Sequence, residues 1–235
     1  MIRRLAVVFG MSFLLFADDE PRQKVQAVHT ERVDFSSGGL LRLKNSIGEV
    51  TVEGWDRPDV EIATVKSTKS ALASRDREKA SHELDRVRIS VQRQGEELIV
   101  TTEFPRRRVL PPGVDLDYHI KVPMNARLAV DHGTGEVHVD NLTSDIHVTV
   151  RNGGITLQLP QEGKYSIDAK SDFGGVTSDF PGHEKRTRWL LGHRFVQGAS
   201  ATRNLYLRVG FGDITIMKIP RPPTPAPPTP VMAPR

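Results

Sequence analysis

The sequence predicts an all-β fold of the stacked, β-solenoid or β-helix kind, with one amphipathic helix inserted. Three patterns carry that expectation. Apolar and polar residues alternate with a period of two along most of the chain, as half-buried strands require. A short glycine-led unit recurs: Gly48-Glu49-Val50-Thr51, Gly135-Glu136-Val137-His138, Gly153-Gly154-Ile155-Thr156, Gly174-Gly175-Val176-Thr177 and Gly212-Asp213-Ile214-Thr215. Its later intervals are 18, 21 and 38 residues, and a period near twenty with one doubling is what stacked coils produce. A β-sandwich of ordinary hairpins is the alternative, since glycine often precedes a strand.

The chain opens with a basic pair, Arg3 and Arg4, followed by an apolar run from Leu5 to Phe16 that ends at Ala17. Such a run is too short to span a bilayer as a helix but suits a secretory signal. Residues 1–17 are therefore expected to be a cleaved signal peptide, and 18–29 a mature amino-terminal segment. The protein is expected to be exported, to the periplasm, the cell surface or the medium. The whole chain has 33 basic and 29 acidic residues. Loss of Arg3 and Arg4 leaves it nearly neutral, with no long-range field for phosphate polymers, so nucleic acid is not an expected partner. Cysteine is absent, which excludes disulfides, thiolate metal sites and a cysteine nucleophile.

The strands of the expected domain, residues 30–219, read off the alternation. Val50 and Val52 are followed by Val60 and Ile62, then by Val87, Ile89 and Val91. Ile146, Val148 and Val150, Ile155, Leu157 and Leu159, Leu205, Leu207 and Val209, and Ile214 and Ile216 continue the series. Each glycine of the repeat lets the chain turn through a positive φ before the next strand. The fourth repeat position then predicts an outward ladder of Thr51, His138, Thr156, Thr177 and Thr215. One stretch breaks the alternation. Residues 71–86 are rich in Ala, Arg, Glu and Lys, and Leu72, Ala80, Leu84 and Val87 share a helical face, so a packing helix is expected there. From Pro220 to Arg235, eight of sixteen residues are proline; this stretch cannot join a sheet and reads as an extended tail.

These motifs resemble a known family. Leu43-Lys44-Asn45-Ser46-Ile47-Gly48-Glu49-Val50-Thr51-Val52-Glu53-Gly54-Trp55-Asp56, the Val122-Pro123 end of the strand from Tyr118, Ser171-Asp172-Phe173-Gly174-Gly175-Val176 and Gly212-Asp213-Ile214-Thr215-Ile216 are similar to the runs of the bacterial putative adhesin domain. That resemblance implies an exported, β-helical protein of unknown function and supplies no catalytic or ligand residues to carry over. The insert at 71–86, the charged stretch from His183 to Arg194 and the proline tail depart from its pattern.

Nothing in the residues themselves points to catalysis. Asp131, Asp140, Asp145, Asp168, Asp172 and Asp179 could be read as the carboxylates of a β-helical glycan-degrading enzyme. Nearly all sit beside Gly, Asn, Ser or Pro, where aspartate ordinarily forms turns. His132, His138 and His147 lie close in sequence but lack a compact third metal ligand. No cofactor is expected. Two basic clusters remain as a candidate interaction surface: Arg106, Arg107 and Arg108, and Lys185, Arg186, Arg188 and Arg194 around Trp189. The expected function is structural or adhesive, with an envelope polymer, a surface glycan or a membrane protein as partner. A periplasmic accessory in envelope-stress signalling and a carbohydrate-active enzyme are the alternatives.

Overall fold

A computed structural model describes residues 24–68, 74–103, 114–186, 191–198 and 201–220. The expected signal peptide, Leu72 of the insert and the proline tail beyond Pro220 lie outside the described residues.

In chain order the strands are β1 (Gln26–Asp34), β2 (Leu40–Ile47), β3 (Val50–Trp55) and β4 (Asp59–Thr68). Helix α1 (Ser74–Asp85) follows, then β5 (Arg88–Gln94), β6 (Glu97–Glu103), β7 (Val114–Pro123), β8 (Arg127–Thr134) and β9 (Val137–Asp140). The rest are β10 (Ile146–Asn152), β11 (Ile155–Pro160), β12 (Tyr165–Phe173), β13 (Val176–Ser178), β14 (His183–Arg186), β15 (His193–Gln197), β16 (Arg203–Phe211) and β17 (Ile214–Ile219). They form two sheets. Sheet I has eight strands in the order β1-β4-β7-β3-β9-β11-β17-β13. Sheet II has nine, in the order β14-β15-β12-β16-β10-β8-β2-β6-β5. The fold is β-helix-like with open sheet edges. The first strand begins at Gln26, four residues ahead of the expected boundary at 30.

Each coil runs up a strand of sheet II, turns at a repeat glycine, and continues as a strand of sheet I. The pairs β2–β3, β8–β9, β10–β11, β12–β13 and β16–β17 are built this way, and their neighbours are parallel. The inward residues of both sheets make one core of Val, Ile and Leu, with Leu43, Val52, Val139, Val148, Leu157, Leu207 and Ile214 fully buried. Coil order in space is not coil order in sequence. The last coil, β16–β17, sits between β10–β11 and β12–β13, and β2–β3 sits between β6, β7 and the β8–β9 coil. The doubled interval from Gly174 to Gly212 therefore is not a skipped coil: it holds the antiparallel pair β14–β15, which extends sheet II beyond β12.

The repeat glycines stack at one corner. Gly48, Gly135, Gly153, Gly174 and Gly212 all have positive φ, between 105° and 151°. A Cβ on Gly135, Gly153 or Gly212 would meet the carbonyl oxygen of Gly48, Gly135 or Gly153 at 1.8, 2.0 or 1.9 Å. The backbones of successive coils touch here with no room for a side chain.

At the β4 end, α1 carries the chain from sheet I to sheet II. Leu84 and Val87 bury into the core, and Lys66 Nζ donates 2.6 Å to the Val87 carbonyl just past the helix end. The helix is shorter than the expected 71–86 among described residues, running from Ser74 to Asp85. No helix among the described residues is long and apolar enough to cross a membrane.

A polar line runs inside the corner. Thr102 Oγ1 donates 2.9 Å to Asn45 Oδ1 and lies 2.6 Å from the Tyr118 hydroxyl, whose pKa burial pushes up to about 12. Asn45 pairs in register with His132, which is 4% exposed. The His132 ring lies near the backbone of Gly48 and Thr134 without a well-formed hydrogen bond to a described residue. Burial outweighs those carbonyls and pulls the imidazole below its ordinary value. Below about pH 6.5 the unfolded chain takes up a proton that folded His132 resists, so stability falls as pH drops through that range. The expected slope from this residue is at most about 1.4 kcal/mol per pH unit. Thermal midpoints of wild type and His132→Leu between pH 7.5 and 5.5 check it: the wild type loses more. Parallel curves for the two would contradict it.

Candidate interaction face on sheet II

The outward positions of sheet II form two neighbouring ladders fixed by strand register. In the first, Arg42, Ala129, His147, Tyr206, Asp168, Val196 and His183 stand side by side. In the second, two residues along, come Lys44, Asp131, Thr149, Arg208, Lys170, Arg194 and Lys185. The second ladder ends in consecutive cations: Arg208, Lys170, Arg194 and Lys185 on adjacent strands. Strands lie about 4.8 Å apart, and like charges directly opposite repel, so such a row needs counter-charges.

Asp168 provides them. Arg194 reaches it with two hydrogen bonds of 3.0 and 2.9 Å, and Arg208 Nη2 with a third of 2.8 Å. Burial pushes the Asp168 carboxyl up, but the bonds and charges of the two arginines outweigh it and hold the group below the usual carboxylate range. Arg208 Nη1 also donates to the Asp168 and Leu207 carbonyls, and its guanidinium lies 3.7 Å over the Tyr206 ring. Lys170 pairs with Asp172 at 2.6 Å. Lys185 and Arg186, on the exposed edge strand β14, have no ion pair among the described residues. The band therefore carries excess positive charge held in a fixed spacing, because two of its guanidinium groups are locked from beneath.

Of the expected surface residues, Lys185 and Arg194 fall in this band, on the paired strands β14 and β15, while Arg186 pairs with His193 and belongs to the other face of the sheet. Arg188 and Trp189, and the whole cluster Arg106, Arg107 and Arg108, lie outside the described residues. Lys170 and Arg208 are members that the sequence reading missed.

The other candidates disperse. His138 faces outward from sheet I, 3.6 Å from Glu49. His147 faces outward from sheet II, and His132 points into the core. The three histidines do not converge, and no described group of His, Asp and Glu could hold a metal. Among the aspartates, Asp145 Oδ1 accepts 2.6 Å from the Asn204 amide and Asp179 Oδ2 3.1 Å from that of Lys218. Asp140 stands beside Glu53 on sheet I with its carboxyl pushed up by burial. The expected outward ladder of the fourth repeat position forms in register: Thr51, His138, Thr156, Thr215 and Thr177 are successive neighbours on sheet I.

The family model described as Toastrack DUF4097 matches residues 27–217. The chain belongs to that family. The match spans both sheets, from β1 into β17, so the whole described architecture is Toastrack architecture. Among solved structures, a putative cell adhesion protein from Clostridium sporogenes is similar at 12% identity, with 83% of this chain and 100% of that one covered and a TM-score of 0.53. A putative adhesin from Bacteroides fragilis aligns at 11% identity over 82% of this chain and 97% of that one, with a TM-score of 0.30. The first likeness is one of fold. No curated protein sequence matches this Toastrack chain.

Proposed function

We propose that this Toastrack chain is an exported envelope protein with a structural or adhesive binding role and no catalytic one. Its partner in this reading is an extended anionic envelope polymer, met by the cationic band of sheet II. The observation that carries the proposal is the in-register row Arg208, Lys170, Arg194 and Lys185. Charges repeated at strand spacing on a flat face match a partner that is itself repetitive, and they give affinity that depends on salt. The paired or amide-capping roles of Asp145, Asp168, Asp172 and Asp179 support the non-catalytic part, since each carboxylate has a structural partner. The basic pair and apolar run before Ala17 support export, as does the kind of protein whose fold it shares.

Export is tested by fractionating the native host and weighing the mature amino terminus. The expected result is a chain beginning near Asp18, recovered from the periplasm, the cell surface or the medium. An intact Met1 with recovery from the cytoplasm would overturn the proposal.

A further inference from the structure

The first outward ladder of sheet II has a gap one side chain wide. Arg42, His147 and Tyr206 are all large or long, but between Arg42 and His147 the register places Ala129. The His147 and Tyr206 rings are stacked at 4.5 Å with 26° between their planes, so rings on this face follow the strand spacing. One face of His147 is covered by Tyr206, and the other looks over Ala129. The walls of the gap, Arg42 and His147, are two strands apart, about 9.6 Å between backbones. That leaves room for one ring in contact with both. The resulting depression encloses about 350 Å³ and is also rimmed by Arg127, Asp145 and Asn204.

The rim fixes what such a ring would be. Arg42 Nε is bonded to Glu97, and Arg127 Nε donates 2.9 Å to the Gly38 carbonyl with Glu96 at 3.8 Å. Both guanidinium groups are thus anchored by one edge and locally neutralised, with further N–H donors left over. Asp145 uses one oxygen on the Asn204 amide. Donors and acceptors alternate around the rim, with little net charge. An anion would lack a free cation here, and an aromatic side chain would leave the rim groups unused. A neutral polyol ring with an apolar C–H face satisfies both the imidazole wall and the polar rim.

We propose that the gap over Ala129 is a binding site for a single pyranose unit of a neutral glycan. The sugar ring takes the place of the missing side chain, stacking on His147 while its hydroxyls meet Arg42, Arg127, Asp145 and Asn204. This site is separate from the cationic band, and its occupancy does not depend on salt.

The full mature chain is titrated with maltotriose, lactose and tri-N-acetylchitotriose by ligand-observed NMR at low and high salt. At least one of them is expected to bind, with affinity unchanged by salt. Ala129→Phe supplies the ring from the protein itself and is expected to weaken binding by at least about tenfold with the thermal midpoint kept, since residue 129 points outward. His147→Ser removes the stacking wall and is expected to weaken it as well, which decides the matter if the phenylalanine variant folds poorly. Failure of all three saccharides to bind, or wild-type affinity in a folded Ala129→Phe variant, would overturn the assignment. So would binding of N-acetyltryptophanamide at this position in place of the sugars. None of these results bears on polyanion binding by the band.

Discussion

Gly153→Ala is expected to cost roughly 3–5 kcal/mol of folding stability, enough to leave a typical domain barely folded. Two penalties add at this position. Its φ of +136° lies where a residue with a Cβ is strained. The new Cβ would also lie 2.0 Å from the Gly135 carbonyl oxygen and 2.6 Å from its carbon. Those are backbone atoms, so no rotamer change relieves the clash; the coils must separate. Separation would break Gly135 N–H to the Asn152 carbonyl, at 2.9 Å, and Val137 N–H to the Gly154 carbonyl, at 3.0 Å. Gly95→Ala is the matched comparison. It also has positive φ, +63°, but a Cβ there meets nothing within 4 Å, so only the strain of roughly 1 kcal/mol applies. Urea unfolding of the two variants against wild type measures the difference. Equal losses would mean that the glycine corner is a turn requirement alone and not a packing contact between coils.

That corner was legible in the sequence because glycine there has no substitute: five glycines at matching places in a repeat marked it, and the structure finds all five at positive φ and stacked. The threonine ladder was legible for the same reason, since the fourth position counts forward from a fixed turn. Counting backward would have shown more. Lys44, Asp131, Thr149, Lys170 and Arg208 each lie four residues before a repeat glycine, and they are the successive rungs of the second ladder. Arg42, Ala129, His147, Asp168 and Tyr206 lie six before, which makes the gap at Ala129 visible in principle. What hid them was composition. These positions face solvent, where packing sets no residue type, so they share no letter to align. The order of coils was not legible at all. Every coil presents a similar aliphatic face, so nothing in the residues marks that β16–β17 inserts between β10–β11 and β12–β13. The pair β14–β15 was hidden for another reason: its strand β14, His-Glu-Lys-Arg, is exposed throughout and has no alternation to read.

In the proposed function, the row Arg208, Lys170, Arg194 and Lys185 binds an anionic polymer. Its two lysines can be removed without touching the Asp168 network, because Lys170 pairs with Asp172 and Lys185 has no ion pair among the described residues. Exposed pairs of this kind contribute little to folding, so Lys170→Ser/Lys185→Ser is expected to fold as the wild type does. Each cation near an anionic surface is worth on the order of 1 kcal/mol. The double variant is therefore expected to bind about 30-fold more weakly. Arg32→Ser/Lys121→Ser removes the same charge from the outward side of sheet I, where Arg32 stands by Glu61 and Lys121 by Glu53. The most direct measurement is the affinity of these three proteins for polygalacturonate and for purified envelope fragments of the native host, at low and raised salt. The expected result is salt-sensitive binding that weakens about 30-fold in the sheet II variant and is kept in the sheet I variant. Equal loss in both variants, or no binding by wild type at low salt, would contradict it.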